Sequence, residues 1–391
     1  METAVNENAY SRKDIGSLTA NAKKEGRNSN FEWLRIVAMI LIIFHHYCYH
    51  GGIRLDKITE VNYMIYTIFV SYGKLGVVIF VMISGYFSCK SKFNLKRLLL
   101  LIAEVVFYSL AWYAISLYRG DVAYSATELL KRVFVVFFSR YWFFTCYLAL
   151  SLVSPVINLA IKGMDRKMHL IVCIVGGVIY ALVASFSSGY MYRNDLITFI
   201  YLYIVAAYLR LYGGKLDIIY DIIGLIFSVG AGWIIYFLNE KITWEYEFNP
   251  FANQSATNLF IAIFLILICK KAKPRHNKFV NYIAASCFGV YLIHDNEFRR
   301  TIWWKLFKNF EYAMKTPQEF IAHMFMAVAV VFVAGTIIDV IRREVLERPL
   351  SMLYDLIKNK PSRKPKNSSE TLYETPDFKP AVTAEKLMKK R

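Results

Sequence analysis

Two ionisable side chains, Arg35 and His46, stand in an apolar segment that reads FEWLRIVAMILIIFHHY. They are eleven residues apart, so an α-helix with about 100° per residue places both on one face, roughly 16 Å apart along the axis. An imidazole within such an apolar segment can take a proton from a hydroxyl group. If the segment crosses a membrane, its ionisable groups usually face a cavity or a partner. The alternative is structural: Arg35 reaches lipid phosphates and His46 makes an interhelical hydrogen bond.

Further polar groups lie in or beside other apolar segments. His294 ends the segment NYIAASCFGVYLIH and is followed by Asp295, so it is either a candidate general base or an interfacial hydrogen-bonding residue. Asp339 precedes Arg342 by three residues, which favours an ion pair on one helix face. Glu104 has no evident partner in the sequence, and we expect it to lie in a polar cavity.

The segment GKLGVVIFVMISGYFSCKSKFNLKR combines small residues with a basic cluster. Gly76, Ser84 and Gly85 permit close helix packing, and the basic residues from Lys90 to Arg97 follow at once. Arg and Lys suit phosphate, so this cluster can bind a phosphorylated cofactor. It is also typical of a signal that holds a loop in the cytoplasm, and the segment alone favours that second interpretation.

The elements that position these residues are membrane-spanning helices. Of the 391 residues, 57% are hydrophobic and 16% are aromatic, which is more apolar surface than one soluble core can hide. Apolar runs long enough to cross a bilayer predict an all-α fold, a polytopic transmembrane helical bundle of about ten spans. The predicted spans are Trp33–Tyr49, Tyr63–Phe87, Leu98–Leu117, Arg140–Ile161, His169–Ser187, Leu196–Leu211, Ile218–Leu238, Ala256–Cys269, Phe279–His294 and Ile321–Ile341.

Composition divides the chain into three parts. Residues 1–30 are polar and lack the early apolar stretch of a signal peptide, residues 31–345 hold the spans, and residues 346–391 form a basic tail that we expect to be disordered. Loops rich in Lys and Arg favour a cytoplasmic location for both termini. The stretch Leu129–Phe138 is either an interfacial helix or part of the fourth span. Because the net charge of +18 comes largely from short loop clusters, it does not predict nucleic-acid binding.

Six cysteines lie singly in or beside apolar segments, with no CxxC pair and no metal-ligand spacing. We interpret them as small apolar packing residues. We therefore expect no metal cofactor.

In combination, these segments resemble the bacterial acyltransferase family 3, membrane proteins that O-acylate cell-surface carbohydrates. The resemblance covers roughly Asn30–Ile341. It rests on the pair Arg35 and His46, on GVVIFVMISGYF, on RYWFF around Trp142 and on GVYLIH ending at His294. The order of these motifs, together with ten spans, makes the match specific.

The resemblance implies an enzyme that takes an acyl group, usually acetyl, from acetyl-CoA on the cytoplasmic side and passes it to a sugar hydroxyl. His46 is then the essential histidine, and Arg35, Lys96 and Arg97 help to hold the phosphates of CoA. The basic loop departs from the family pattern, because leucines follow Arg97 where a second Arg is usual. Ser139 stands where the family's fourth-span motif begins with Pro.

Further candidates complete the predicted site. Ser84 beside the basic cluster is a candidate for binding the cofactor, and Glu104, Trp142 and His294 are candidates for lining the cavity or contacting substrate. His46 can act either as a general base or as a nucleophile that becomes acylated.

We therefore expect a multi-pass enzyme of the cell membrane that moves an acyl group from cytoplasmic acyl-CoA to a hydroxyl of a cell-surface or lipid-linked carbohydrate. The sequence leaves open the acceptor, the acyl group (acetyl, succinyl or another) and the oligomeric state. A secondary transporter or flippase of a sugar-containing substrate is the alternative, which helices broken near the membrane midplane would favour. A membrane sensor would need a folded output module, and the tail is too short and too polar to form one.

Overall fold

The structure, a computed structural model, describes residues 27–183, 195–241, 249–298 and 301–358. In these ranges the chain is helical and contains no β-strand, which confirms the all-α prediction. The α-helices are α1 Ser29–Tyr49, α2 Glu60–Ser71, α3 Gly73–Ser88, α4 Leu95–Tyr118, α5 Ala126–Val133, α6 Trp142–Lys162, α7 Arg166–Gly177, α8 Asp195–Tyr212, α9 Ile218–Lys241, α10 Ala256–Lys271, α11 Lys278–Ala284, α12 Cys287–His294, α13 Asn309–Ala313, α14 Pro317–Arg342 and α15 Arg348–Lys358.

The described residues contain seven helical stretches that are long and apolar enough to cross a membrane, α2 and α3 together forming one of them. Each corresponds to a predicted span. Of the three remaining predicted spans, His169–Ser187 ends outside the described residues, and Ala256–Cys269 corresponds to α10, which has 16 residues. The third, Phe279–His294, is divided between α11 and α12. The number of spans and the side of the termini stay predictions.

The short helix α5 settles how the stretch Leu129–Phe138 relates to the fourth span. The side chain of Ser125 caps α5 by accepting a hydrogen bond from the Glu128 amide, as expected for a helix start. The helix ends at Val133, and α6 begins only at Trp142. The stretch is therefore separate from the fourth span, and its place at the membrane interface stays a prediction.

Helices α1 and α3 approach each other through glycines. A Cβ atom at Gly73 would lie 2.1 Å from the Cβ atom of His45, and one at Gly76 would lie 2.5 Å from the backbone oxygen of Ala38. Only a residue without a side chain fits at such distances, as at other close helix contacts within membranes. This packing sets the histidine-bearing end of α1 against the start of α3.

The span that contains α2 and α3 is interrupted at Tyr72. His45 Nδ1 pairs with the backbone oxygen of Val70 at 2.6 Å, and Trp233 Nε1 donates to the Tyr72 hydroxyl at 2.7 Å. A backbone oxygen at a helix interruption needs a partner in an apolar surrounding, and His45 provides one for Val70. The interruption is thus held by side chains from α1 and α9.

A buried charge cluster ties α4 to α14. Arg342 lies 2.8 Å from Asp339 Oδ1 and 3.2 Å from Glu104 Oε1, and the Tyr108 hydroxyl donates to Asp339 at 2.9 Å. The predicted ion pair of Asp339 with Arg342 is confirmed. Glu104, for which the sequence shows no evident partner, pairs with Arg342, which lies far along the chain.

The interruption between α11 and α12 corrects the prediction of one continuous helix there. Ser286 stands at the junction and accepts a hydrogen bond from Arg343 at 2.9 Å. Just beyond it, a Cβ atom at Gly289 would lie 2.1 Å from Asp339 Oδ1. Because α12 packs so closely on α14, its final residues are held at a defined depth in the bundle.

Helix α15 is the last of the described helices and lies within the segment predicted as a basic tail. Residues 1–26 and 359–391, which hold most of the two predicted terminal segments, lie outside the described residues.

Candidate active site

A cavity of about 210 Å³ lies where α1, α3, α6 and α12 meet. Aromatic rings form much of its wall, and a few polar groups reach it from different helices. An apolar pocket with a small number of convergent polar groups is the usual form of a ligand site. The polar side chains that line it include His46, His50, Lys74, Arg140, Tyr141 and Asp295.

His46 and His294 are 248 residues apart in the sequence and meet beside this cavity. His294 Nδ1 lies 2.6 Å from the backbone oxygen of Val290, and only a protonated nitrogen can donate there. In a neutral His294, Nε2 then accepts a hydrogen bond from His46 Nδ1, 3.0 Å away. These two bonds assign the lone pair of a neutral His46 to its Nε2 atom.

The carboxylate of Asp295 lies beyond that atom. Its Oδ2 is 3.8 Å from His46 Nε2, and its Oδ1 is 3.5 Å from His50 Nε2. A carboxylate at these distances favours a positive charge on His46 once that residue takes a proton.

Together these groups can perform general-base chemistry. His294 orients His46 through Nδ1, the Nε2 lone pair accepts a proton, and the Asp295 carboxylate stabilises the resulting imidazolium. In a nucleophile-activating triad one carboxylate both orients the histidine and stabilises its charged form, whereas here His294 would do the first and Asp295 the second. The site can remove a proton from a hydroxyl group placed in the cavity.

The same side chains could hold a metal ion. One ligand atom from each of His46, His50 and Asp295 lies within 4.8 Å of the others, and two imidazoles with one carboxylate suit Zn²⁺. An ion there would occupy the Nε2 lone pair that proton removal requires. Metal binding at this cluster and general-base chemistry by His46 therefore exclude each other.

A second, larger cavity of about 810 Å³ lies beside the basic cluster that follows α3. Cationic side chains from three positions of that cluster and from the end of α6 line it, namely Lys90, Lys92, Arg97 and Lys162. Ser84 and Ser88 on α3 and Ser151 and Ser154 on α6 add hydroxyl groups to its wall. A large cavity with this charge suits a ligand that carries phosphates.

The two cavities follow one another along the same pair of helices. Phe80 on α3 and Phe143 on α6 line the first cavity. Ser84 and Tyr147, each four residues further along those helices, line the second. Four residues correspond to about 6 Å of helix rise, so about one helical turn of aromatic side chains separates the two spaces.

A family model described as an acyltransferase domain matches residues 28–338. The chain belongs to acyltransferase family 3. No curated protein and no solved structure matches it. The matched range contains both cavities, and it joins the helical bundle to an acyltransferase activity, so the protein is a membrane acyltransferase.

The predicted site residues of this acyltransferase fall into two groups. His46 and Trp142 line the first cavity, His294 contacts His46, and Ser84 and Arg97 line the second cavity. The others line neither cavity: Glu104 is in the buried charge cluster, Arg35 pairs with Glu32, and Lys96 lies on the first turn of α4.

A network of five charged residues stands beside the first cavity of the acyltransferase. Arg140, which lines the cavity, pairs with both Glu128 and Glu297, and Arg132 also pairs with Glu297. Hydrogen bonds from Lys131 and Arg140 lower the pKa of Glu128. The network joins α5 to the residues that follow His294 and so borders the site on that side.

Three site residues were not assigned a role from the sequence. His50 is four residues after His46, a spacing that places both on one helix face, and Asp295 is adjacent to His294 in the chain. Lys74 is a single cation inside an apolar span, which is itself a sign of function. These sequence features are visible, but the role of each residue depends on contacts between helices that are distant in the sequence.

Proposed function

We propose that the protein transfers an acetyl group from acetyl-CoA to a hydroxyl of a cell-surface or lipid-linked carbohydrate, with His46 as general base. One observation carries the proposal: the hydrogen bonds from His46 to His294 and from His294 to Val290 direct the His46 Nε2 lone pair toward a cavity. The family supplies the reaction class, acyl transfer. Acetyl, CoA and the carbohydrate are parts of the proposal.

The second cavity is the proposed site for the donor. Its cations, including Arg97 and Lys162, would bind the phosphates of CoA, because guanidinium and ammonium groups form charge-assisted hydrogen bonds to phosphate. The thin pantetheine arm would then pass between α3 and α6 and bring the thioester to the first cavity. The succession of the two cavities along these helices supports this path.

The first cavity is the proposed site for the acceptor hydroxyl and the acyl group. His46 Nε2 takes the proton from the hydroxyl as its oxygen attacks the thioester carbonyl carbon. The carbon–sulfur bond then breaks, and the departing thiolate takes the proton from the His46 imidazolium. The products are a sugar ester and free CoA, so atoms and charge balance without any other reactant.

The experiment is acetyl-CoA turnover by the purified protein in detergent, with a mixture of bacterial glycans as acceptor. We compare wild type with His46→Ala and with His276→Ala, which changes a histidine that lines neither cavity. Ester formation by wild type and His276→Ala, but not by His46→Ala, is the expected result. Turnover by His46→Ala at the wild-type rate would contradict the proposal.

A transporter or flippase of a sugar-containing substrate is the second candidate, and one observation favours it. Two spans are interrupted, one between α2 and α3 and one between α11 and α12, and interrupted helices commonly form transport sites. Uptake of a labelled sugar substrate into proteoliposomes without consumption of acetyl-CoA would support this second candidate.

A further inference from the structure

Lys74 places a positive charge in the wall of the first cavity. It is the second residue of α3, directly after the interruption at Tyr72, and it lines the cavity together with His46. Its ammonium group lies 5.1 Å from the centre of the Trp142 ring. Cation and ring thus face the same space in which the base stands.

The described part of the chain provides no ion-pair partner for this ammonium group. Its contact there is the Trp142 ring, and the carboxylates of Asp195 and Asp295 act on it only at longer range. A cation–π contact stabilises a cation by less than a carboxylate in direct contact does. Lys74 is therefore a cation that is ready to bind an anion in the cavity.

The position of Lys74 adds an energetic argument. A charge inside an apolar span is costly and is usually kept for function. A lysine that bears this cost beside His46 is explained by negative charge that arises in the same cavity during the proposed reaction.

We propose that Lys74 donates a hydrogen bond to the thioester carbonyl oxygen as it becomes negatively charged, an inference that rests on the proposed acyl transfer. When the acceptor oxygen bonds to the carbonyl carbon, the carbonyl π electrons move to the oxygen and form an oxyanion next to Lys74. When the carbon–sulfur bond breaks, those electrons return to the carbon–oxygen bond. His46 moves the proton, and Lys74 stabilises the charge.

Kinetics of Lys74→Met and Lys74→Arg test this role. Loss of one oxyanion donor lowers kcat by about 100- to 1,000-fold in other enzymes, and we expect a fall of that order for Lys74→Met. The KM for acetyl-CoA should stay within about twofold, and Lys74→Arg should restore part of kcat. Unchanged kcat in Lys74→Met would overturn the proposal, and so would a change confined to the KM of the acceptor, which would assign Lys74 to an anionic group of the sugar.

Binding of two CoA thioethers tests the proposal without any turnover. S-carboxymethyl-CoA carries a carboxylate near the position of the oxyanion, and S-propyl-CoA is its neutral counterpart. We expect wild type to bind the carboxymethyl compound at least tenfold more tightly, and Lys74→Met to lose this preference while it still binds S-propyl-CoA. Lys162→Met, changed in the second cavity, should weaken both ligands equally and keep the preference.

The two ligands separate failure of this inference from failure of the proposed function. S-propyl-CoA binding reports on the donor site alone, and the ratio of the two affinities reports on Lys74. Equal affinities in wild type would overturn the role of Lys74 and leave the donor site intact. If neither ligand binds to wild type, both the role of Lys74 and the proposed function are overturned.

Discussion

At the scale of single residues, the proposed general-base chemistry depends on which nitrogen of His46 carries its proton. The backbone oxygen of Val290 requires a proton on His294 Nδ1, and His294 Nε2 in turn requires one on His46 Nδ1. His294 is thus a positioning residue. It is buried away from the cavity wall, and its effect on the reaction passes through His46.

We predict that His294→Leu lowers kcat by about 100-fold, since loss of correct base orientation removes much of the gain from general-base catalysis. The KM for acetyl-CoA should not change, because His294 does not line the proposed donor cavity. His294→Gln retains an oxygen that can accept from His46 Nδ1 and should recover part of kcat. Equal kcat values for the Leu and Gln variants would contradict the orienting role.

We predict that Zn²⁺ inhibits acetyl transfer and that a chelator leaves the rate unchanged. Zn²⁺ at His46, His50 and Asp295 would occupy the nitrogen that must accept a proton. His50→Asn removes one ligand and should raise the Zn²⁺ concentration that is required for inhibition. Loss of activity on chelation, restored by Zn²⁺, would instead identify a metal cofactor.

At the scale of helices, the buried cluster of Arg342, Glu104 and Asp339 holds α14 against α4. Its neighbour α12 carries His294 and packs on α14 through Gly289. A carboxylate left alone in a buried place costs much more than its ion pair contributes. This cluster therefore maintains the depth at which His294 meets His46.

We predict that Arg342→Met lowers the free energy of unfolding by about 3 kcal/mol, because it leaves two buried carboxylates without their cation. The thermal unfolding temperature in detergent measures this effect. Arg348→Met is the matched control, since Arg348 pairs with Glu344 on an exposed surface and surface pairs contribute little. Equal unfolding temperatures for the two variants would exclude a structural role for the cluster.

The helical elements were largely predictable from the sequence, and the contacts between them were not. Apolar length and charge indicated α1, α4, α6 and α14, and helical periodicity indicated the face that His46 occupies. The pairing of His46 with His294 and of Glu104 with Arg342 joins residues more than 200 positions apart. Periodicity along one helix contains no information about which other helix packs on that face.

The interruptions of helices were missed for a similar reason. The predicted span Phe279–His294 is apolar enough to suggest one helix, yet the helix divides near Ser286. The hydroxyl of Ser286 and the backbone oxygen of Tyr282 accept hydrogen bonds from Arg343, the residue that directly follows α14. Only a partner from another helix makes such an interruption favourable in an apolar surrounding.

At the scale of the whole molecule, two cavities of different character follow one another in the described part of the chain. Lysine and arginine side chains line the larger cavity. Aromatic side chains and His46, the proposed general base, line the smaller one. A basic cavity followed by a smaller cavity suits the proposed donor, acetyl-CoA, whose phosphates and thioester lie at opposite ends of a thin pantetheine arm. The charge network of Arg140, Glu128 and Glu297 borders the smaller cavity at another side.

We predict that Arg97→Gln raises the KM for acetyl-CoA about tenfold and leaves kcat nearly unchanged. The variant loses a phosphate contact that stabilises the bound substrate and the transition state equally. Lys96→Gln is the matched comparison, since the neighbouring Lys96 does not line the larger cavity. Its KM should change less. An equal rise in both variants would indicate a diffuse attraction by the basic cluster and not a defined phosphate site.

The most direct test of the central claim follows the acetyl group itself. Wild type and His46→Ala are incubated with radiolabelled acetyl-CoA, each with and without a glycan acceptor, and label is counted on the protein and on the glycan. General-base catalysis by His46 predicts label on the glycan with wild type only and no labelled protein in any sample. Labelled glycan at the wild-type rate with His46→Ala, or acetyl bound to His46 of wild type without acceptor, would contradict it.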